Sequence, residues 1–266
     1  MKKLIESVLI KILKKLNVDL LAHAHVQIGV GHNSYSSGEK ELMPLVKTIL
    51  GHSPGLILDV GANAGIYAQM FATEYPHAII HCFEPLPETF ERLISNTKGI
   101  NTINIQTAVG DSVGTIDLYA GEDTPGGAMV SAYKSSLEDY YTFVGQVDLV
   151  IKAPVITLDN YCADNGIEYI DFLKIDVEGH ELSVLKGAVG LLNEHRIDIV
   201  QFEYTDYNIF SKAFMYDFYQ LLNNFDFYRI KPDGKLLCMG DYDSMLEIFR
   251  YQNILAINKK LNYKQT

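Results

Sequence analysis

The spacing of hydrophobic residues changes character at Pro54. Beyond it, short apolar runs typical of buried strands alternate with amphipathic segments of helical spacing. Strands are predicted at 56–60, 78–83, 103–109, 115–120, 170–175 and 197–204, and helices at 66–75, 87–97, 180–194 and 213–224. Residues 227–230 and 253–257 are predicted to form a closing pair of strands. This alternation predicts an α/β domain over residues 51–260, with a doubly wound, mainly parallel sheet covered by helices on both faces.

The first 50 residues follow a different pattern and are predicted to form a helical extension. Residues 4–16 place apolar side chains on one helical face, and lysines dominate the charges around it. This helix is expected to pack on the main domain, while weak membrane-surface contact by residues 2–16 or binding to a partner stays open. Residues 22–38 look irregular. A second helix is predicted from Glu39 to about Leu50, with Gly51 as its stop signal.

Composition narrows the class of protein. The chain has 266 residues and a formal net charge of -11, which argues against a general nucleic-acid binder. No stretch approaches the roughly 20 apolar residues of a membrane span, and no cleavage site follows the first helix. Three dispersed cysteines favour reduced thiols over disulfides or a zinc site, so a cytoplasmic protein is expected. Assembly of identical copies stays open.

A glycine-containing turn follows the first predicted strand, in the segment LILDVGANAG at 56–65. Asp59 lies near the strand end, and Gly61 and Gly65 flank the turn into a helix. Glycine lets a ligand approach the backbone, and the helix start offers free N–H groups. Asn63 stands where the dinucleotide fingerprint has its second glycine, which makes room for a pyrophosphate. A cofactor without phosphates, such as S-adenosylmethionine, is therefore favoured.

Acidic residues follow the next two predicted strands. Glu84 comes directly after the second strand, where an acid can accept hydrogen bonds from both ribose hydroxyls. Asp111 follows the third strand and is expected to accept from an adenine amino group, unless it caps a turn. The predicted cofactor-binding residues are Asp59, Gly61, Asn63, Gly65, Glu84 and Asp111.

The segment LKIDVEGHELSVLKGA at 173–188 carries the predicted catalytic residues, Asp176, Glu178 and His180. They follow a strand at the carboxyl edge of the sheet, where such sheets bind their ligands. We expect Asp176 or Glu178 to position an acceptor and His180 to assist its deprotonation. Two alternatives stay open. Glu178 or Glu181 caps the helix, or Asp176 and Glu203 hold a divalent metal ion.

Several motifs occur together and in a fixed order: DVGANAG at 59–65, FEP at 83–85, AVGD at 108–111, LDNY at 158–161, LKIDVEGHELSVLKGA at 173–188 and QFEY at 201–204. Over roughly residues 55–205 the chain resembles the FkbM family of class I methyltransferases. The resemblance implies a seven-stranded Rossmann-like sheet and S-adenosylmethionine as cofactor. It also implies O-methylation of a hydroxyl on a sugar, glycan or natural-product acceptor.

Two other readings of the same pattern stay open. An NAD-dependent oxidoreductase or epimerase would need the glycine that Asn63 replaces, and residues 140–144 lack the Tyr-x-x-x-Lys pair of short-chain enzymes. A non-catalytic binding module would not need acids at the sheet edge. Residues 121–131 are expected to form a mobile loop. Together with the first 50 residues, the stretch 121–150 is expected to shape the acceptor pocket.

Overall fold

The structure is a computed structural model that describes residues 20–31, 38–120, 130–135 and 149–264. The helix predicted at 4–16 lies outside the described residues, and so does 121–129, the larger part of the loop predicted at 121–131. In chain order, the helices are α1 (Leu20–Gln27), α2 (Glu39–Leu50), α3 (Ile66–Glu74), α4 (Pro87–Asn96), α5 (Leu158–Asp164), α6 (Glu181–Lys186), α7 (Val189–Asn193), α8 (Tyr207–Ser211) and α9 (Met215–Leu221).

The described strands are β1 (Leu56–Val60), β2 (Ile79–Phe83), β3 (Thr102–Ile105), β4 (Ala108–Val109), β5 (Gly114–Ala120), β6 (Val130–Ser131), β7 (Leu149–Ile156), β8 (Ile170–Ile175), β9 (Ile197–Tyr204), β10 (Phe225–Ile230), β11 (Leu236–Cys238) and β12 (Gln252–Asn258). Short 3-10 helices occupy Ser244–Leu246 and Lys259–Leu261.

The main sheet has the order β11-β10-β12-β9-β8-β1-β2-β3. Strands β3, β2, β1, β8 and β9 are parallel, and β12 is antiparallel to both of its neighbours, β9 and β10. This is the expected doubly wound α/β sheet, and the predicted closing pair is β10 and β12. The described sheet has eight strands instead of seven, because the short strand β11 adds a hairpin to β10.

A second sheet, β4-β7-β5-β6, stands beside the main one. The single strand predicted at 103–109 is wrong, because β3 ends at Ile105 and β4 begins at Ala108 in this other sheet. The chain bends between them at Thr107, whose hydroxyl donates to the carbonyl oxygen of Pro154 at 2.9 Å. The apolar pattern runs through the bend because the residues on both sides of it pack against neighbours. Strand β7 and helix α5 are not among the predicted elements.

Two further expectations are corrected. Residues 22–38 are not wholly irregular, since helix α1 extends to Gln27. The helix predicted at 180–194 is two helices, α6 and α7, which meet at Gly187 and Ala188. There the carbonyl oxygen of Gly187 accepts from the N–H of Asp159, and the Asp159 carboxylate accepts from the N–H groups of Gly190 and Leu191. The break lets α5 dock on the start of α7.

Helix α2 is part of the hydrophobic core. Its apolar face, which includes Leu42, Val46 and Ile49, packs in one cluster with Ile57 and Phe172 of the main sheet. The helix ends at Gly51, whose φ of 78° and N–H bond to the Lys47 carbonyl close its last turn. Its first residue, Glu39, lies toward the carboxyl edge of the sheet, where its carboxylate accepts from the side-chain amide of Gln201 on β9. Among the described helices, none combines the length and apolarity that a membrane crossing requires.

Candidate active site

The predicted site residues gather at the carboxyl edge of the main sheet. Asp59 near the end of β1, Lys174 near the end of β8 and Gln201 in β9 are neighbours across the strands. Asp176 follows β8, and Glu203 lies two residues beyond Gln201 on the same face of the sheet. Four titratable groups and the amide of Gln201 thus meet where parallel sheets bind ligands.

The glycine turn after β1 is built as predicted, but for a partly different reason. Gly61 has a φ of 82°, and the N–H groups of Gly61 and Ala62 both donate to the Phe83 carbonyl at 3.0 Å. A Cβ on Gly61 would lie 1.8 Å from the carbonyl oxygen of Asp176. The expectation that a side chain here would enter ligand space is therefore corrected: it would first collide with the backbone after β8.

The rest of the turn also favours small or polar residues. Asn63 has a positive φ of 47°, and its side-chain oxygen accepts from the N–H of Ala64 at 2.7 Å. Gly65 begins α3 with a φ of 81°, and a Cβ there would lie 2.8 Å from the Leu93 side chain. The turn can therefore lie close to both helix α4 and a ligand at the start of α3.

Glu84 joins the turn to the segment after β2. One carboxylate oxygen accepts from the N–H of Asn63 at 3.0 Å and the other from the N–H of Leu86 at 2.9 Å. Burial raises the pKa of Glu84 to about 7, although these two bonds oppose the shift. Each oxygen keeps a second lone pair, so the carboxylate can still accept from a ribose.

Asp59 is the group that fits a cofactor most directly. Its side chain is fully buried, and neither of its carboxylate oxygens accepts a hydrogen bond. Burial raises its pKa to about 6, while the nearby Lys174 ammonium acts in the opposite direction. A buried carboxylate without partners is costly, so a ligand with positive charge or hydrogen-bond donors would be stabilised beside it.

Asp111 lies on the exposed turn after β4. Its backbone N–H donates to the hydroxyl of Ser183 at 3.2 Å, and its carboxylate accepts from the hydroxyl of Ser112 at 3.0 Å. The neighbouring Gly110 packs against His180, whose Nε2 lies 3.2 Å from the point that a Gly110 Cβ would occupy. The turn therefore adjoins the loop after β8, and the Asp111 carboxylate is accessible to a ligand.

The loop after β8 is closed by Glu181. Its side chain is fully buried, and one carboxylate oxygen accepts from the N–H groups of Val177 and Gly179 at 3.1 and 3.0 Å. Glu178 instead has a φ of 52°, and its backbone carbonyl accepts from the Ser131 hydroxyl at 2.8 Å. Of the two acids considered as caps, Glu181 holds the backbone before α6, which leaves the Glu178 carboxyl for other contacts.

Two acids at this edge of the sheet, Glu178 and Glu203, have raised pKa values. Burial, followed by repulsion from Asp176 and Glu181, raises the pKa of Glu178 well above its usual range. Glu203 is raised in the same direction by burial and by Asp176 and Glu178. Both shifts have the same cause, because burial and neighbouring carboxylates disfavour the ionised form of each acid.

His180 contacts a residue that the sequence analysis missed. Its Nδ1 lies 3.1 Å from the hydroxyl of Tyr133, which follows β6. Burial lowers the pKa of His180, and Asp111 acts in the opposite direction. The imidazole is therefore neutral at neutral pH. The sequence offers no signal for this contact, because it joins two segments that are distant in the chain.

Lys174 was also missed, although it carries a visible signal. It is a single cation in the apolar strand IDFLKI, and its side chain is buried. Its ammonium donates to the Asp176 carboxylate at 2.9 Å and lies 4.7 Å from the centre of the Tyr67 ring. A lysine inside a strand that is buried on both faces needs such an anion.

No metal centre is assembled at this edge by the described residues. In the described part of the chain, the one group with ligand atoms close enough for an ion is His52, Asp171 and Asp198, at the amino edge of the sheet. One Asp171 oxygen there accepts two backbone N–H groups, and Asp198 pairs with the ammonium of Lys260 at 3.3 Å. Asp176 and Glu203 are not part of such a group.

Known proteins resemble this chain over the same region. Residues 59–230 match the methyltransferase FkbM domain family. The methyltransferase sdnD of Sordaria araneosa is 31% identical over 154 residues, 50% of this chain and 60% of that protein. The 2-O-methyltransferase NoeI of Sinorhizobium fredii is 28% identical over 175 residues, 62% of this chain and 70% of that protein.

A third relative is the hexuronic acid methyltransferase AglP of Haloferax volcanii, which is 30% identical over 148 residues. That match spans 55% of this chain and 55% of AglP, so the chain covers less than two thirds of AglP and of sdnD. The family match includes the glycine turn, Glu84, Asp111 and the loop after β8. The chain therefore belongs to the FkbM methyltransferase family, as the motifs in its sequence predict.

Proposed function

We propose that this protein is an S-adenosylmethionine-dependent O-methyltransferase that acts on a hydroxyl of a sugar, glycan or natural product. The observation that carries the proposal is the buried Asp59 carboxylate, which accepts no hydrogen bond from the described residues and lies beside the glycine turn. Family membership and the name of NoeI, a 2-O-methyltransferase, support the same reaction class, and the name of AglP supports a sugar acid as acceptor.

The residues present fit this cofactor. Asp59 and the backbone of the turn at 61–65 would hold its amino-acid portion, Glu84 its ribose hydroxyls and Asp111 its adenine amino group. Asn63 removes the space that a pyrophosphate needs, so the same turn disfavours a dinucleotide. When bound, S-adenosylmethionine supplies a sulfonium methyl group that is open to attack by a nucleophile.

The loop after β8 would prepare the acceptor. Methylation of a hydroxyl would also require a residue that accepts the hydroxyl proton. His180 is the neutral base available, since burial lowers its pKa. Asp176, fixed by Lys174, and the half-buried Glu178 would orient the hydroxyl. Positioning of this kind can supply several kcal/mol of the rate enhancement.

The division of the chain into an extension over residues 1–50 and a methyltransferase domain over 51–260 is part of the proposal. Helix α2 packs on the main sheet and begins at the carboxyl edge, which would make the extension one wall of the acceptor pocket. The family match begins later, at residue 59. The wall would thus be formed by residues that precede the family match.

Calorimetric titration with S-adenosylmethionine, S-adenosylhomocysteine and NAD tests the cofactor. We expect the first two to bind and NAD not to bind. Transfer of a labelled methyl group to a panel of neutral glycosides, uronic acids and polyhydroxylated natural products then tests the acceptor. Binding of NAD alone would favour the oxidoreductase reading. Tight binding of S-adenosylmethionine without turnover on any hydroxyl acceptor would favour a binding module.

Metal dependence is tested in the same assay. Turnover that survives EDTA would leave the reaction to the side chains of the loop after β8. The variants Asp176→Asn, Glu178→Gln and His180→Ala should each lower turnover while the cofactor still binds. Loss of turnover with EDTA alone would instead assign a metal ion to the reaction.

A further inference from the structure

A row of buried polar side chains crosses three strands beneath the carboxyl edge. Asp59, Lys174 and Gln201 are aligned on β1, β8 and β9, and each is at most 4% exposed. They share the sheet face that is covered by α2 and α3. Buried polar groups are stable only when partners satisfy them, so the contacts of this row decide how the site edge is held.

The row is anchored from outside the family domain. The hydroxyl of Tyr67 on α3 donates to the side-chain oxygen of Gln201. The amide nitrogen of Gln201 donates to the carboxylate of Glu39, the first residue of α2, at 2.6 Å. Since the Tyr67 ring also lies beneath the ammonium of Lys174, a continuous set of contacts runs from α2 to the loop after β8.

The charged groups along these contacts also interact with one another. Burial opposes the charge of Lys174, but the carboxylates of Asp176, Glu39 and Asp59 outweigh it and raise the pKa of the ammonium. The Asp176 carboxylate is bonded to it directly, whereas Asp59 and Glu39 act through space. One cation therefore balances three carboxylates that come from three different elements.

We propose that Glu39 is a positioning residue of the methyl-transfer site. Through Gln201 and Tyr67 it fixes Lys174, and Lys174 in turn orients Asp176 and sets the charge beside Asp59. This inference rests on the proposed function, because it assigns Glu39 a role behind the cofactor and acceptor groups. It makes α2 a working part of the site, although α2 precedes the family match.

A simpler role for Glu39 would be to favour the start of α2, where the helix dipole stabilises an acid. Glu41 lies in the same first turn and is exposed, so Glu41→Gln removes the same charge from the same helix end. The matched pair Glu39→Gln and Glu41→Gln therefore separates the two roles. Glu39→Gln retains an oxygen that can accept from Gln201, so it tests charge with little change in shape.

The readout is the affinity for S-adenosylmethionine between pH 5 and 8, measured by calorimetry. If the ionised Asp59 binds the cationic cofactor, affinity should fall as the pH is lowered through about 6. Besides Lys174, Asp176 and Glu39, Asp59 is faced by Tyr67, Cys82 and Glu84. Glu84 also titrates near pH 7 in every variant, so only differences between the curves are informative.

Substitutions of Glu39 and of Lys174 should move the pH midpoint of cofactor binding in opposite directions. Glu39→Gln removes a negative charge and should move the midpoint to lower pH. Lys174→Met removes the cation and should move it to higher pH. Glu41→Gln should leave the midpoint where it is. A Glu39→Gln curve that coincides with the wild type, or that moves with Lys174→Met, would overturn the proposal.

A second measurement needs no cofactor. If Glu39 and Lys174 are coupled, the change in Tm caused by Glu39→Gln should be more favourable in the Lys174→Met background than in the wild type, by about 2 °C or more. Equal changes in the two backgrounds would show independent residues and refute the network. If the Tm values show coupling but the wild-type protein binds no S-adenosylmethionine at any pH, the proposed function is rejected. Glu39 then has a structural role only.

Discussion

Asp59 and Lys174 are direct neighbours across the parallel strands β1 and β8, yet no hydrogen bond joins their side chains. The Lys174 ammonium turns to Asp176 instead, at 2.9 Å. Asp59 is thereby held close to a cation but left without a hydrogen-bond donor. This arrangement costs stability in the free protein and leaves the carboxylate available for a ligand.

The first prediction concerns this cost. Because the folded pKa of Asp59 is about 6, above its ordinary 3.8, the folded protein binds its proton more tightly than the unfolded chain. The resulting stability is present below pH 3.8 and is lost as the pH rises to 6, at most about 3 kcal/mol. Asp59→Asn should therefore raise the free energy of unfolding at pH 7.5 by about 1–3 kcal/mol.

Urea unfolding of both proteins at pH 5 and 7.5 checks this. Other acids titrate in the same range, so the difference between the variant and the wild type is the relevant quantity. It should shrink toward zero at low pH, while the variant loses affinity for S-adenosylmethionine. A variant that is less stable than the wild type at pH 7.5 would contradict the interpretation of Asp59.

The second prediction separates two effects of a glycine. Gly61 and Gly99 have similar φ values of 82° and 84°, but a Cβ on Gly61 would meet the Asp176 carbonyl at 1.8 Å, whereas Gly99 has no atom within 4 Å. Gly99→Ala should cost only the left-handed backbone strain, about 1–2 kcal/mol. Gly61→Ala should cost several kcal/mol more, because β1 and the chain after β8 must separate.

Thermal unfolding of the two variants measures the difference directly. If both alanines lower Tm equally, the close approach of Gly61 to Asp176 is not what requires glycine, and backbone conformation alone explains it.

Glu84 provides the third prediction. Each of its oxygens accepts from a backbone N–H, so a glutamine at this position must set its NH2 group against one of those donors. Glu84→Gln should lower the free energy of unfolding by about 1–3 kcal/mol and weaken cofactor binding by a similar amount. Glu88→Gln on the exposed first turn of α4 is the matched control, which should leave the cofactor affinity unchanged and lower the free energy of unfolding by at most about 1 kcal/mol. An unchanged affinity in Glu84→Gln would remove Glu84 from the ribose site.

How much of this structure the sequence predicts depends on how far apart in the chain the interacting residues are. Glu84 and Asp176 were identified because an acid directly after a buried strand must lie at the carboxyl edge, which is a local deduction. Gly61 was singled out for its place in a turn, but the atom that excludes a side chain there is the carbonyl oxygen of Asp176, which only the pairing of β1 with β8 reveals. The sequence therefore indicates which residues matter before it indicates what they touch.

Most of the missed features depend on contacts between segments that are distant in the chain. The strand predicted at 103–109 breaks at Thr107 because Pro154 of β7 offers a carbonyl there, and hydrophobic spacing does not register such a partner. The sequence shows Lys174 only as a charge inside an apolar strand and does not show what it contacts. Its partners, Asp176 and the ring of Tyr67, lie on the next loop and on another helix.

The last prediction concerns the tautomer of His180. For Nε2 to accept a proton from the substrate, the ring proton must be on Nδ1, which would then donate to the oxygen of Tyr133 at 3.1 Å. Tyr133→Phe removes that acceptor, so the competing tautomer is no longer disfavoured. We expect turnover to fall by about tenfold and cofactor affinity to stay unchanged, whereas His180→Ala should lower turnover by about 10²–10⁴-fold.

The pH dependence gives an independent check. Since burial lowers the pKa of His180, the acidic limb of the wild-type turnover profile should have its midpoint below 6.5, the ordinary pKa of a histidine. The base acts in its neutral form, so the activity is lost as the pH falls through the folded pKa of His180. His180→Ala should abolish this acidic limb of the profile, and Tyr133→Phe should retain it at a lower plateau. An acidic limb that persists unchanged in His180→Ala would assign the base to another residue of the loop after β8.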